Sequence, residues 1–258
     1  MTPTTIDLAA RQPLERRAAV ELGRVEYHRF VDTLESLDPD DWDRPTDCTG
    51  WAVRDVAGHL AGSMRTQTSL RNVIAEQRAV KRRAKTTGES EVDAMTAIQV
   101  ESVEHLDHAA LIAQMRHDAD RAAAGRRRPP NLMTRLLKIP VDLGSIKETW
   151  TLDFLIGTIL TRDTWLHRVS DVAGAIGRPP HVDADHDGVI VADIAAEWTR
   201  RHGEPVDLHL TGPAGGHFAH GIVTADTPRL ELDAVEFCRI LSERAAPTHH
   251  LLATPVPF

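Results

Sequence analysis

The stretch Asp41-Trp42-Asp43-Arg44-Pro45-Thr46-Asp47-Cys48-Thr49-Gly50-Trp51-Ala52-Val53-Arg54-Asp55-Val56-Ala57-Gly58-His59-Leu60 sets a polar connection against the start of a helix. As far as Gly50-Trp51 the residues are mostly short, polar or proline, the usual turn formers. Beyond that point Ala52, Val56, His59, Leu60 and Ser63 share one helical face. His59 extends the Val56/Leu60 stripe, so its ring is directed at a core. Upstream, the pattern is helical from about Asp7 to Leu37, with Val20, Tyr27, Val31 and Leu34 at i, i+7, i+11 and i+14. Asp38-Pro39-Asp40 stops it.

Downstream, residues 66 to 125 read as two helical stretches split near Thr86-Thr87-Gly88, the second with Val100, Val103 and Ala110 as its apolar side. The basic run Arg126-Arg127-Arg128 before Pro129-Pro130 reads as a helix C-terminus complementing its dipole. After a loop-like segment from Pro140 to Gly144, Thr149 to Ala173 is again helical and carries Trp150, Ile156, Leu160 and Trp165. Past Gly177-Arg178-Pro179-Pro180 the pattern changes. A helix spans Val189 to Arg201, and Val206, Leu208 and Leu210 alternate as a strand with His217 to Val223 as its hairpin partner. Leu230 to Leu232 reads as a third strand, Asp233 with Glu236 opens a helix to Arg244, and His250 to Val256 reads as a last strand. The expected architecture is mainly α: a helical bundle over residues 1–178, followed by a small α+β domain over 179–258.

Composition narrows the function classes. With 30 Lys and Arg against 38 Asp and Glu, the 258-residue chain has a formal charge of −8, which excludes a generic nucleic-acid binder. Only two cysteines occur, Cys48 and Cys238, with no CxxC pattern, so a reducing cytoplasm is expected and both read as small packing residues. The apolar run Phe154 to Leu160 is far short of the roughly 20 residues of a membrane helix, and the N-terminus lacks an apolar signal core. The basic cluster Arg78, Lys81, Arg82, Arg83 and Lys85 reads as a solvated helix face.

The chain has 14 histidines, and a carboxylate stands four residues before one at Asp55/His59, Glu101/His105, Glu104/His108 and Asp163/His167. Helix position separates these pairs. Asp163 and His167 continue the Ile156/Leu160 stripe, a costly place for two polar groups unless they are partnered. Glu101, His105 and His108 lie off the apolar side and read as solvated. If the stripes of the two helices meet, His59, Asp163 and His167 form a two-His, one-carboxylate set with open coordination positions. The residues alone leave a paired polar core as the alternative. Asp171, one turn beyond His167, is placed to orient its other ring nitrogen or to stand exposed at the helix end.

The stretch from Asp41 to Leu60 resembles the W-x-x-P-T-x-C-x-G-W-x-V-x-D-x-x-x-H-L segment of the mycothiol-dependent maleylpyruvate isomerase family, within the wider DinB-like superfamily. Asp163-Thr164-Trp165-Leu166-His167 is similar to its later acidic-residue and histidine motif, and Glu231 to Arg239 to the final helix of its small C-terminal domain. The resemblance implies an up-down four-helix bundle with a divalent metal on His59, Asp163 and His167, zinc first and nickel or iron next. It implies mycothiol as cosubstrate, a small electrophile as substrate, and a thiol transferase or isomerase acting as a monomer or homodimer. A non-catalytic metal-containing or ligand-binding protein is the other function it accommodates. Metal-assisted hydrolysis would need a general base that the sequence does not identify. Two positions depart from the pattern: Asp163 stands where Glu is usual, and Ala52 where a capping Thr is common, a loss of about 1 kcal/mol if uncompensated.

Overall fold

In the computed structural model, which describes residues 5–258, helix α1 (Arg16–Glu35) packs its Tyr27, Phe30, Val31 and Leu34 stripe into a core shared with α2 (Val53–Gln67) and α5 (His108–Arg127). The fourth long helix, α7, spans residues 152–176 and departs from α-helical winding in two π-helical stretches, Leu155–Ile159 and His167–Val172. Helices α1, α2, α5 and α7 make the bundle, and α3 (Leu70–Thr87) and α4 (Glu91–Glu101) are inserted between α2 and α5. Val56, Leu60 and Met64 of α2 meet Met115, Ala119 and Ala122 of α5 in this core. Burying side chains of this size contributes about 1.5–3 kcal/mol each. On the far side of α2, Gly62 admits α4: a Cβ there would stand 2.7 Å from Gln99 Cα.

The start of α2 compensates for Ala52. Asp55 Oδ2 accepts from the Ala52 backbone N–H at 2.9 Å, the N3 arm of a capping box, so one terminal donor is satisfied without a side-chain cap. The stretch expected to hold two helices holds three. Asp107 accepts from Ala110 N–H at 2.8 Å and restarts the chain as α5, which leaves Val103 buried and Ala110 exposed.

The residues expected as a loop form a hairpin, Lys138–Asp142 paired antiparallel with Lys147–Thr151, after the short α6 (Asn131–Leu136). The basic run does end α5, but Arg126 has a further role. Arg126 is 1% exposed, and its guanidinium donates to the carbonyls of Ile156 and Gly157, to Tyr27 Oη and to Thr161 Oγ1. Two of those acceptors lie in the first π-helical stretch, where the regular ladder is broken and backbone groups need other partners. A Cβ on Gly23 would sit 2.5 Å from Arg126 Nη1, so α1 carries glycine there.

The second unit comprises residues 180–258 together with 5–14. The expected division after 178 is displaced by one residue, and the N-terminal segment belongs with the C-terminal unit. Its strand Ile6–Asp7 pairs parallel with Gly216–His220, and two residues give no periodic signal against the helix that follows. Gly216–His220 pairs antiparallel with Val206–Thr211, which pairs parallel with Arg229–Asp233. Val206, Leu208 and Leu210 are buried, as their alternation requires. Helices α8 (Asp187–His202) and α9 (Ala234–Leu241) meet where the Trp198 and Phe237 rings stand edge to face at 5.3 Å. The expected last strand is instead a 3-10 turn, His250–Ala253: Leu251 and Leu252 are consecutive and both buried, which a strand with one solvated face does not allow.

Candidate metal centre

Helices α2 and α7 bring His59, Asp163 and His167 together. Asp163 Oδ2 lies 3.5 Å from His59 Nε2, and Oδ1 lies 3.4 Å from His167 Nε2. The three donor atoms fall within 4.8 Å of one another. The two rings stand edge to face at 5.4 Å. Both separations from the carboxylate exceed the about 2.7–3.2 Å of an N–H···O hydrogen bond. Two ligands about 2.0–2.1 Å from a tetrahedral zinc stand about 3.3–3.4 Å apart, so the spacing fits a shared small cation better than direct pairing. The shorter Asp reaches both rings, one oxygen to each. The rings are closed off at 6% and 5% exposure, while the Asp163 side chain is 24% exposed, so the open side of the centre is at the carboxylate.

Behind this set, Asp171 Oδ2 is 2.6 Å from His167 Nδ1 and is buried, so the orienting carboxylate stands where the sequence allowed it. A carboxylate on Nδ1 favours a proton there and leaves Nε2 as the lone-pair donor. Among the described residues His59 lacks such a partner: its Nδ1 is buried without one, and the Trp51 ring lies 5.4 Å from the imidazole. The second π-helical stretch begins at His167 itself, and winding wider than an α-helix brings residues four apart closer to one line along the axis.

Electrostatics couples these groups. Burial alone would raise the Asp163 carboxyl, but the charge of His167, followed by His59, holds it well below the usual carboxylate range. Burial alone would lower His167, but Asp163, then Asp171 and Cys48, raise it well above the ordinary imidazole value. Without a cation, each group favours the charged form of the other.

Cys48 is the residue the sequence reading placed wrongly. It is half-buried and its Sγ lies 4.0 Å from His167 Nδ1, forming with His167 and Asp171 an overlapping group of possible donors. The loop that carries it folds back on itself. Thr46 N–H donates to Trp51 O and Trp51 N–H to Cys48 O, both at 2.9 Å, with Gly50 in the left-handed region at φ 80°. No periodicity marks a loop residue 119 positions from its neighbour. Cys238 is fully buried, as a packing residue should be. His105 and His108 are exposed, as are Arg78, Lys81, Arg82 and Lys85.

A family model described as the mycothiol maleylpyruvate isomerase N-terminal domain matches residues 24–173. The chain belongs to this family. Among solved structures, this mycothiol maleylpyruvate isomerase family member is similar to a crystal structure of the mycothiol-dependent maleylpyruvate isomerase. The TM-score is 0.55 at 16% identity, with 90% of this chain and 91% of the other covered. It is likewise similar to a histidine-to-alanine mutant of that isomerase, with a TM-score of 0.54 at 16% identity and the same coverage. No curated protein matches. At that identity the likeness carries the fold: a helical domain with a small α+β part. No helix among the described residues is long and apolar enough to cross a membrane.

Proposed function

We propose that His59, Asp163 and His167 hold a divalent metal, zinc first and nickel or iron next, and that the protein is a thiol transferase or isomerase with mycothiol as cosubstrate. The observation that carries this reading is the spacing of one carboxylate between two Nε2 atoms at 3.4 and 3.5 Å, with Asp171 behind His167. When bound, a divalent ion would stabilise the anion of a thiol and keep it deprotonated near neutral pH.

The chain's own residues do the rest. His167 would present Nε2 because Asp171 holds Nδ1, and Asp163 would offset part of a cation's charge from the exposed side. Trp51 and the closed-off rings keep bulk water from the imidazole faces. A small electrophile approaches from the carboxylate side and is attacked by the thiol sulfur. Addition would form a C–S bond, break the π bond and leave the electron pair on the neighbouring, carbonyl-stabilised carbon; rotation and expulsion of the thiolate would return an isomerised double bond, whereas protonation of that carbon, with the proton first released by the thiol, would give an S-conjugate. A reducing cytoplasm is the compartment in which such a thiol cosubstrate would persist.

The test is metal content followed by turnover, on protein purified without chelator or His-tag. About one equivalent of metal per chain is expected, with mycothiol-dependent isomerisation of maleylpyruvate or mycothiol consumption on a panel of small electrophiles. Metal-loaded protein that neither binds nor consumes mycothiol would overturn the reading.

A further inference from the structure

The buried polar face of α2 continues past His59. Ser63 and Thr66 follow at four and seven residues, and the three side chains are 6%, 6% and 7% exposed. Residues at these spacings share one helical face, so the row extends about 10 Å along the axis. At its far end Glu76 of α3 accepts through Oε1 from Thr66 Oγ1 at 2.7 Å and from Gln99 Nε2 of α4 at 3.0 Å. Gln99 is 4% exposed, and its Oε1 is buried with no hydrogen-bond partner among the described residues.

A buried amide oxygen without a donor is expensive, and leucine would fill the same volume at no such cost. Glu76 adds a carboxylate whose Oε2 takes no hydrogen bond from the described residues. Burial pushes the Glu76 carboxyl up, while Thr66, Gln99 and the charge of His59 pull it down, so the group lies within electrostatic reach of the metal centre. Two acceptors that meet no donor among the described residues, Gln99 Oε1 buried and Glu76 Oε2 on a half-buried side chain, are held in place by the shared Glu76 Oε1 and are open to donors from outside the protein.

We propose that Gln99 Oε1 and Glu76 Oε2 form a recognition site, two turns of α2 from His59, for uncharged O–H or N–H donors on the body of the thiol cosubstrate. This rests on the reading of the centre given under Proposed function. Its ligand class is a small thiol with a hydroxyl- or amide-bearing body, the thiol at the His59 end and the donors at the Glu76 end.

The test is calorimetric titration of the metal-loaded full-length protein with two thiols: mycothiol, which has a hydroxyl-rich body, and N-acetylcysteine, which is the thiol end without it. Gln99→Leu and Glu76→Gln are each expected to weaken mycothiol about tenfold. Both should leave N-acetylcysteine within about twofold and the metal content unchanged. The Gln99→Leu chain should stay folded with a melting temperature near the parent's, because removal of an unsatisfied acceptor offsets loss of the Nε2 donor to Glu76. Equal weakening of both thiols, or no weakening of mycothiol in either variant, overturns the proposal while leaving the metal centre standing. A parent protein that binds neither thiol overturns the functional reading and this one with it.

Discussion

In the bundle, His167 has a carboxylate at each ring nitrogen, Asp163 at 3.4 Å from Nε2 and Asp171 at 2.6 Å from Nδ1. In the α+β unit, His202 and His220 stand with ring centroids 6.4 Å apart, and on each a buried nitrogen, His202 Nε2 and His220 Nδ1, meets no partner among the described residues. The two settings move the imidazole in opposite directions. His167 is raised, because its carboxylates outweigh burial, whereas His202 is lowered by burial first and then by His220. Among the described residues, neither His202 nor His220 joins a group of three possible metal donors. Proximity of histidines therefore does not make a site. What distinguishes the bundle pair is a carboxylate shared between the rings and a second one behind.

The sharpest way to break this contrast is by deletion. His59→Ala and His167→Ala should each reduce bound metal from about one equivalent to a small residue, while His202→Ala and His220→Ala leave it unchanged, read by elemental analysis. If the α+β variants lose metal and the bundle variants keep it, the assignment is reversed. Next in size is Asp171→Asn, which removes the carboxylate behind His167 and should weaken metal binding about 10–100-fold in a chelator competition without unfolding the chain.

The third effect is on pH. In the metal-free protein, cation binding must displace the His167 proton. Apparent affinity should then rise about tenfold per pH unit until that raised pKa is passed. The same linkage acts on stability. The His167 contribution is full below its ordinary value of 6.5 and is lost as pH rises through the raised folded value. The Asp163 contribution is present above 3.8 and is lost as pH falls through the lowered one. His202 runs the other way. Its lowered pKa destabilises the fold as pH drops below 6.5, so His202→Gln should flatten the acid side of a melting-temperature profile and leave the alkaline side alone. The smallest effect belongs to Cys48→Ala. Its sulfur approaches the ring nitrogen already held by Asp171, so metal content should stay within about twofold of the parent.

How far the sequence could be read follows from the same physics. Helices α2 and α7 announce themselves because an apolar stripe repeats along each, and Asp163 and His167 stand out as polar groups within that stripe. The hairpin 138–151 does not, because Trp150 is the one buried residue of its two strands and Pro140 interrupts the first. Arg126 looks like any basic residue at a helix end until the π-helical carbonyls it serves are seen. Cys48, Glu76 and Gln99 reach their neighbours through a loop and through inserted helices. These contacts arise from tertiary packing that no local spacing encodes.

The most direct test of the centre is a titration of cobalt-substituted protein with mycothiol, followed by absorbance. One cobalt per chain on His59, Asp163 and His167, open on the carboxylate side, should give a thiolate-to-metal charge-transfer band that saturates at about one equivalent of thiol and is absent in His167→Ala. One bound cobalt whose spectrum does not respond to the thiol would mean a closed structural site, and would contradict the account.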